Sequence, residues 1–375
     1  MRYSREQLVR VAKRENNSKR EYLYVDPLQA KHIPSDPQET MNVCQQLAKE
    51  IKKVHFKDRL YVIGFAETAT GIAAGVCNYL GRVKLFQNTT RENEDENNSL
   101  YFTESHSHAT DQSLRIDGLE QYKGKIDRIV FIDDEVTTGN TICKLISEIR
   151  DKFNDPSVSY TIASVLNSMT DERKNELESD DIDCIYLSAI PFEYNKDTIH
   201  NISYDINRDI TPTEDNQENI TVKTFRSHHG NVRNVTKYSD YVASCRHFAV
   251  KLLDEVEKTD CKNILILGTE EFMYPAIYAG AVIEDETDAF VKVHSTTRSP
   301  IIASGAEGYP LTRRYKLRSL YDSSRQTYIY NLDKYDKVYI VTDSDNLTAG
   351  ISGLYNALKE AGNDDISVIQ WKYVA

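Results

Sequence analysis

The chain has 375 residues, 40% of them hydrophobic and 28% charged, a composition typical of a soluble protein long enough for two domains. No apolar run approaches the roughly 20 residues that span a membrane, and the polar N-terminus lacks the apolar core of a signal peptide. A formal net charge of −12 argues against nucleic-acid and anionic-membrane partners. The six cysteines show neither a CxxC pair nor zinc-ligand spacing, so we expect a reduced, cytoplasmic protein.

The first half of the chain alternates predicted strands and helices. In chain order these are a helix over 37–54, a strand over 59–65, a helix that ends near Leu80, a strand over 83–86, a strand over 129–132, a helix over 142–149, a strand over 160–166, a helix from Asp171 and a strand over 184–188. Such alternation predicts an α/β fold with a mostly parallel sheet covered on both faces.

The second half repeats this plan. Residues 291–298 parallel residues 83–91 with one gap, and both segments end in Thr-Thr-Arg. Gly64 to Arg91 spans 27 positions and Gly268 to Arg298 spans 30. Any two α/β domains share strand-Gly-helix units, but the common Thr-Thr-Arg favours duplication. We therefore predict two tandem mostly parallel-sheet domains, the second a degenerate repeat, with these boundaries: 1–195 for the first domain, 196–230 for a linker or irregular extension and 231–375 for the second domain.

The run 129–141 carries the strongest chemical signal. A buried strand is followed by Asp133 and Asp134, and then by a Thr-Thr-Gly-Asn-Thr loop at the start of a helix. Backbone N–H groups and the positive end of the helix dipole favour a phosphate at such a loop, and Gly139 allows close approach. The two acids can accept hydrogen bonds from sugar hydroxyls. A plain strand-turn-helix with capping acids is the alternative, and the full thirteen residues make it a minority interpretation.

This run resembles the phosphoribosyl pyrophosphate (PRPP) loop of type I phosphoribosyltransferases, although Glu135 stands where an apolar residue is usual. The resemblance implies that Asp133 and Asp134 hold the ribose hydroxyls. It also implies Mg²⁺ as cofactor, bound mainly through PRPP and water, with the same two acids as candidate protein ligands. The implied ligands of the 5-phosphate are Thr137, Thr138, Gly139, Asn140 and Thr141.

Two further segments leave strand ends at the same predicted edge of the sheet. The small-residue turn before the second helix suits a backbone nest for pyrophosphate, and Arg91 is the natural cationic partner. Simple strand–helix packing explains the turn equally well, and a surface ion pair is the alternative for Arg91. The candidate pyrophosphate ligands are Ala66, Glu67, Thr68, Ala69, Thr70 and Arg91.

In type I enzymes a flexible loop closes over PRPP, and the polar stretch 93–113 matches it in position. His106 and His108 within this stretch are candidates to hydrogen-bond the leaving pyrophosphate or to transfer a proton, with solvated loop histidines as the alternative. Segments outside the core form the hood that holds the acceptor base in this fold. Lys31 and His32 are candidates for that role, and a domain-edge strand with chance charges has equal weight.

Together the segments resemble a narrower group, the orotate-phosphoribosyltransferase-like proteins with a C-terminal TRSP domain, which are associated with tellurium-resistance gene clusters. The matching residues are Lys31-His32-Ile33-Pro34, 64–71, 89–92, 104–109, 133–135 and Thr297-Arg298-Ser299-Pro300. The resemblance implies transfer of the ribose 5-phosphate of PRPP to a nitrogenous base or base-like acceptor, with release of pyrophosphate. A non-catalytic PRPP-binding sensor is the alternative.

The second domain lacks the Thr-Thr-Gly-x-Thr loop, so we expect it to lack the same sugar-phosphate site. It could supply a second ligand pocket, cover the first site or form a homodimer contact. Its candidate site residues at predicted strand ends are Thr297, Arg298, Asp343 and Asp345.

Overall fold

The structure, a computed structural model, describes residues 3–15, 17, 20–92, 98–102, 112–190, 199–203, 205–213, 220–228, 230–347 and 350–374. The strands are β1 (Arg10–Lys13), β2 (Tyr22–Val25), β3 (Leu60–Gly64), β4 (Val83–Asn88), β5 (Ser99–Phe102), β6 (Gln112–Arg115), β7 (Arg128–Val136), β8 (Ser159–Asn167), β9 (Ile182–Ala189), β10 (Asp209–Ile210), β11 (Val222–Ser227), β12 (Thr236–Lys237), β13 (Asn263–Gly268), β14 (Phe290–Ser295), β15 (Arg314–Arg318), β16 (Gln326–Tyr330), β17 (Lys337–Thr342) and β18 (Ile366–Tyr373). The helices are α1 (Arg5–Leu8), α2 (Pro37–His55), α3 (Ala69–Leu80), α4 (Asn140–Phe153), α5 (Asp171–Ser179), α6 (Tyr238–Val256), α7 (Tyr274–Glu286) and α8 (Ile351–Glu360).

The chain divides into two compact units. The first unit comprises mainly Asn42–Tyr194 and His229–Ser244, and the second comprises Tyr3–Met41, Asn195–His228 and Cys245–Ala375. In the first unit, six strands form one sheet in the order β12-β4-β3-β7-β8-β9, with only β12 antiparallel to its neighbour.

The central strands of this sheet are apolar along their whole length because helices cover both faces of a parallel sheet. All five residues of β3 are buried, as are the four apolar residues of β7 that follow Arg128. Their side chains join α4 in a core that includes Ile63, Phe131 and Leu145. The predicted α/β fold with mostly parallel sheets is confirmed.

Strand β7 continues four residues beyond the predicted strand, which ended at Ile132. The neighbouring strand β8 continues to Asn167 and pairs with Asp133, Glu135 and Val136, so the acids stand on a hydrogen-bonded strand rather than in a loop. The predicted strand ended at Ile132, just before the first carboxylate, because only apolar residues were used to define it.

In the second unit, five parallel strands form a sheet in the order β11-β18-β17-β13-β14. In the first unit, β3 lies between β4 and β7, with β8 beyond β7. In the second unit, β13 likewise lies between β14 and β17, with β18 beyond β17. An antiparallel hairpin, β15–β16, follows β14, just as the hairpin β5–β6 follows β4. The order of these four strands is thus common to both units, and descent of both from one ancestor stays a hypothesis.

The unit boundaries differ from the expected ones in two places. The N-terminal segment, expected in the first domain, groups with the second unit: Ala12 and Val25 of its β1–β2 hairpin are buried with Ile301 and Leu311. Part of the expected linker is strand β11, which pairs with β18 along its length. Both differences arise from contacts between residues more than 100 positions apart, which local periodicity does not reveal.

Candidate active site

Three segments of the first unit leave the carboxyl ends of β3, β4 and β7; β3 and β4 end level with Ile132, and β7 continues past them to Val136. Gly64 pairs with Asn88 on one side and Ile132 on the other. The Phe65 amide donates to the Ile132 carbonyl at 3.0 Å, which ties the loop after β3 to β7. Ligands bind beyond this edge in open α/β sheets, so these loops form the candidate site.

The turn after β3 is anchored to the end of β4. The Ala66 amide donates to the Thr89 Oγ1 atom at 2.8 Å, and the Thr89 amide donates to the Gly64 carbonyl at 2.9 Å. The peptide bond between Ala66 and Glu67 is cis. Thr70 closes the turn, since its Oγ1 donates to the Glu67 carbonyl at 3.0 Å. The predicted pyrophosphate turn is therefore held by hydrogen bonds of Thr89 and Thr70 at the N-terminus of α3.

Gly64 permits the close approach of strand and helix on which this turn depends. A Cβ atom at this position would lie 2.6 Å from the Cβ of Ala73 and 2.6 Å from the Oδ1 of Asn88. Both distances are far below ordinary contact, and the Ala73 Cβ cannot withdraw without moving α3. A side chain here would therefore displace the turn.

Arg91 emerges from a fixed stretch of backbone. Thr89 and Thr90, which precede it, are 0% and 1% exposed. Thr90 exchanges two backbone hydrogen bonds with Ser113, at 3.0 and 2.8 Å, so β6 supports this strand end. Arg91 itself is half-buried and lies at the same edge as the turn and the acids. Its placement suits a guanidinium that binds an anion.

Asp133 and Asp134 are consecutive residues on the last part of β7. Both are half-buried, and the Asp134 amide donates to the Asp133 Oδ1 atom at 2.9 Å. Successive side chains on a strand point to opposite faces, so Asp133 shares its face with Glu135 and Asp134 points away from them. The two acids would thus contact different atoms of a ligand.

The loop between β7 and α4 has the backbone expected of a phosphate site. Gly139 has a φ of 70°, a left-handed conformation that favours glycine, and it directly precedes α4. Since glycine has no side chain to cap the helix, the amides of its first turn face this loop. Thr137, Thr138 and Thr141 are half-buried around it. The five candidate phosphate ligands therefore lie together at the N-terminus of α4.

Arg173 on α5 holds this loop from behind, and sequence reasoning missed it. Its Nε donates to the Thr138 carbonyl at 3.1 Å, and its Nη2 donates to the Asn140 Oδ1 at 3.2 Å. Glu176, whose carboxylate lies 2.8 Å from the Arg173 Nη1, raises the pKa of the guanidinium. The arginine lies 35 positions from Thr138 on a charged helix, where nothing local distinguishes it from a solvated residue.

The structure places the two N-terminal candidates in the second unit. The Nζ of Lys31 donates to the carbonyls of Glu270 and Thr296, at 2.6 and 3.0 Å, and the residue is 1% exposed. His32 is 6% exposed, and burial followed by the charge of Lys31 lowers its pKa to about 3. These contacts differ from the hood role expected of both residues. His106 and His108 lie outside the described residues.

The four second-unit candidates differ in exposure: Thr297 is buried, Arg298 and Asp343 are half-buried, and Asp345 is exposed. The Arg298 Nε lies 2.7 Å from the Glu270 Oε2, in a buried cluster directly after Thr297. Asp343 accepts a hydrogen bond from the Tyr321 hydroxyl at 2.6 Å. Asp345 is exposed instead, with the Lys372 Nζ 3.4 Å away.

Across the ranges that the structure describes, no helix combines the length and apolarity needed to cross a bilayer. Within the same ranges, His, Cys, Asp and Glu nowhere gather in threes as a metal-binding group would.

Two family models match the sequence. One, described as phosphoribosyl transferase, matches residues 8–185, and the other, described as the TRSP domain C-terminal to that family, matches residues 229–358. The chain belongs to the phosphoribosyl transferases with a C-terminal TRSP domain. The resemblance found in the sequence is thereby confirmed, as is the fold that it implies for the phosphoribosyl transferase region. A comparison with curated proteins finds no match.

Solved structures similar to this chain include adenine phosphoribosyltransferase from Trypanosoma brucei, with 11% identity over 51% of this chain and 84% of that chain and a TM-score of 0.36. The Giardia lamblia adenine enzyme is 13% identical over 51% of this chain and 96% of that chain, with a TM-score of 0.37. Orotate phosphoribosyltransferase from Mycobacterium tuberculosis is 13% identical over 48% of this chain and 89% of that chain, with a TM-score of 0.28.

Proposed function

We propose that the first unit transfers the ribose 5-phosphate of PRPP to a nitrogenous base or base-like acceptor and releases pyrophosphate. The observation that carries this proposal is the convergence of three loops at one sheet edge, fixed by the hydrogen bonds of Phe65, Ala66 and Thr89. Two carboxylates lie on β7 and an anion-binding helix start follows it, the small-residue turn follows the adjacent β3, and an arginine follows β4. This order matches a ligand with a phosphate, a sugar and a pyrophosphate in line.

Each loop has one role in the proposal. The amides and hydroxyls of 137–141 bind the 5-phosphate at the start of α4, where the helix dipole favours negative charge. Asp133 and Asp134 accept hydrogen bonds from separate ribose hydroxyls. The turn 66–70 and Arg91 bind the pyrophosphate and stabilise its charge as the bond to C1 breaks. Most of the acceleration comes from holding donor and acceptor in line.

The residues at this edge fit a magnesium ion that is held mainly by its ligand. Mg²⁺ prefers oxygen donors and keeps several waters in sites that it shares with phosphates. Asp133 and Asp134, half-buried on β7, provide the carboxylates. When bound, the ion would neutralise pyrophosphate charge. A chain with a formal charge of −12 needs such a counter-charge to bind a polyanion.

The experiment combines protein, Mg²⁺ and PRPP with a panel of nitrogen heterocycles and measures pyrophosphate release. Acceptor-dependent release is the expected result. PRPP binding without release for every acceptor would favour a sensor instead, and no binding at all would refute the proposal.

Asp133→Asn together with Asp134→Asn tests the assigned acids. Asparagine keeps the shape of the side chain but accepts sugar hydroxyls weakly, so we expect turnover to be lost while the fold is retained. Asp151→Asn, at an exposed position of α4, is the matched control and should retain turnover. Full activity in the double variant would contradict the assignment.

A further inference from the structure

The hydrogen bonds that fix the turn after β3 recur in the second unit. The Thr296 amide donates to the Gly268 carbonyl at 3.3 Å, as Thr89 does to Gly64. The Glu270 amide donates to the Thr296 Oγ1 at 3.0 Å, in the way that Ala66 binds Thr89. Glu270 is therefore the counterpart of Ala66.

The next residues correspond too. Thr297 exchanges backbone hydrogen bonds with Tyr328 at 2.8 and 2.7 Å, just as Thr90 does with Ser113. Arg298, which follows Thr297, is thus the counterpart of Arg91. The second unit keeps a guanidinium where the first unit has its candidate pyrophosphate ligand.

The strand register identifies the counterpart of the second acid. In the first unit Gly64 pairs with Ile132, and Asp134 is two residues further on. In the second unit Leu267 pairs with Ile340, so the next pair would join Gly268 to Val341. Asp343, two residues beyond Val341, therefore corresponds to Asp134.

A carboxylate fills the space beside the second-unit arginine. Glu270 is 1% exposed, and its Oε2 lies 2.7 Å from the Arg298 Nε and 3.2 Å from the Arg325 Nη1. Its Oε1 accepts a hydrogen bond from the Ser319 hydroxyl at 2.5 Å. Two guanidinium groups and a hydroxyl around one buried anion are the contacts that a phosphate group would make.

The backbone of Glu270 adopts a conformation that is unfavourable for a residue with a side chain. Its φ is 48°, in the left-handed region, which is costly for an L-residue with a side chain. The ion pairs with Arg298 and Arg325, together with the Lys31 Nζ on its carbonyl, offset that cost.

Tyrosine hydroxyls surround the counterpart of the second acid. Asp343 Oδ1 accepts a hydrogen bond from Tyr321 at 2.6 Å, and its Oδ2 lies 3.4 Å from the Tyr373 hydroxyl. A carboxylate that accepts from two hydroxyls is the arrangement proposed for ribose in the first unit.

We propose that the second unit retains an anion site of the pyrophosphate-binding type that its own side chains occupy. The carboxylate of Glu270 takes the place of the pyrophosphate, and the hydroxyls of Tyr321 and Tyr373 take the place of sugar hydroxyls. The inference rests on the roles proposed for the matching first-unit residues. It follows that the wild-type second unit binds no PRPP. Loss of the carboxylate would leave Arg298 and Arg325 as a buried cationic site for pyrophosphate.

The test measures pyrophosphate binding to the full chain by titration calorimetry. Glu270→Ala, which copies the residue at position 66, should bind one more equivalent of pyrophosphate than the wild type. Adding Arg325→Gln should abolish the gain. Glu271→Ala is the matched control: its carboxylate is buried 3.4 Å from the Arg298 Nη2, and its loss should add no equivalent.

Glu270→Gly provides a second variant if the alanine protein does not fold, because glycine adopts the observed φ without strain. A folded Glu270 variant that gains no pyrophosphate site would overturn the inference.

PRPP binding to the wild type decides the question independently. A second equivalent bound would overturn the inference, and one equivalent supports it. Zero equivalents would agree with a second unit whose anion site is occupied by its own side chains, but would refute the function proposed for the first unit.

Discussion

Buried histidines give the second unit a predicted dependence of stability on pH. His32 and His294 are 6% and 2% exposed. Burial, followed by the charge of Lys31, lowers the pKa of His32 to about 3, and burial lowers the pKa of His294 to about 4. Both rings are therefore neutral in the folded protein at a pH where a histidine in the unfolded chain is protonated.

The size of the effect follows from the two pKa values. A histidine whose folded pKa is depressed contributes stability that is complete above its unfolded pKa of 6.5 and is lost as the pH falls toward the folded value. Each pH unit in this window costs about 1.4 kcal/mol per histidine. From about pH 7 to about pH 5, His32 alone should cost about 2 kcal/mol of unfolding free energy, and the pair about 4 kcal/mol. Domains have about 5–15 kcal/mol in total, so the loss is large.

Trp371 makes this change measurable in the second unit alone. It is the single tryptophan of the chain, it is 1% exposed, and its ring centroid lies 4.5 Å from that of Phe225. Urea unfolding followed by tryptophan fluorescence, at about pH 7 and about pH 5, gives the two free energies. His32→Gln should lose about 2 kcal/mol less than the wild type over this interval. The same replacement at the exposed His200 is the control.

An identical pH dependence for the wild type and His32→Gln would refute the reasoning, because it would mean that His32 takes up its proton equally well in the folded and unfolded states.

Three further substitutions have defined outcomes. Arg173→Ala removes the charged donor to the phosphate loop, so we expect the KM for PRPP to rise about tenfold with little change in the melting temperature; an unchanged KM would show that the loop needs no such support. Gly139→Ala forces a side chain to a φ of 70° and should cost about 1–2 kcal/mol in thermal unfolding, with a matching loss of PRPP affinity; unaltered stability would contradict this. Arg314→Met removes the buried guanidinium that pairs with Asp209 and Glu15, each at 2.6 Å, and leaves Asp209 with Lys316 alone at 2.8 Å, so it should cost about 3 kcal/mol in the fluorescence assay. Lys223→Met, at a more exposed ion pair, is its control and should cost less than about 1 kcal/mol.

Local sequence signals were sufficient for the helices and central strands of the first unit, but not for β5, β6 and β12, which the sequence patterns did not predict. The apolar stripe predicted a helix over 37–54, and α2 spans Pro37–His55. The β-branched run before Asp133 predicted a buried strand, and β7 contains it. Period and residue type act within one or two turns, so they report which element forms and where it is apolar.

The contacts that complete each site were beyond such signals. Arg173 supports Thr138 from another helix, and Lys31 reaches Glu270 across 239 positions. Glu270 itself reads as an ordinary acid at a strand end, and only its position beside Arg298 and Arg325 gives it a role. Charge pairing between distant segments depends on the finished fold, and a single sequence carries no periodic trace of it.

The order of the segments along the chain has a consequence for biosynthesis. Ala12 of β1 and Val25 of β2 are made almost 300 residues before Ile301 and Leu311, with which they are buried. The first unit likewise lacks its edge strand until Thr236 and Lys237, which pair with β4, have been made. Since domains fold as their residues emerge, the nascent chain must carry the β1–β2 hairpin without its core until those later residues have been made. That hairpin is where we expect a chaperone to bind, and where slow synthesis would favour aggregation.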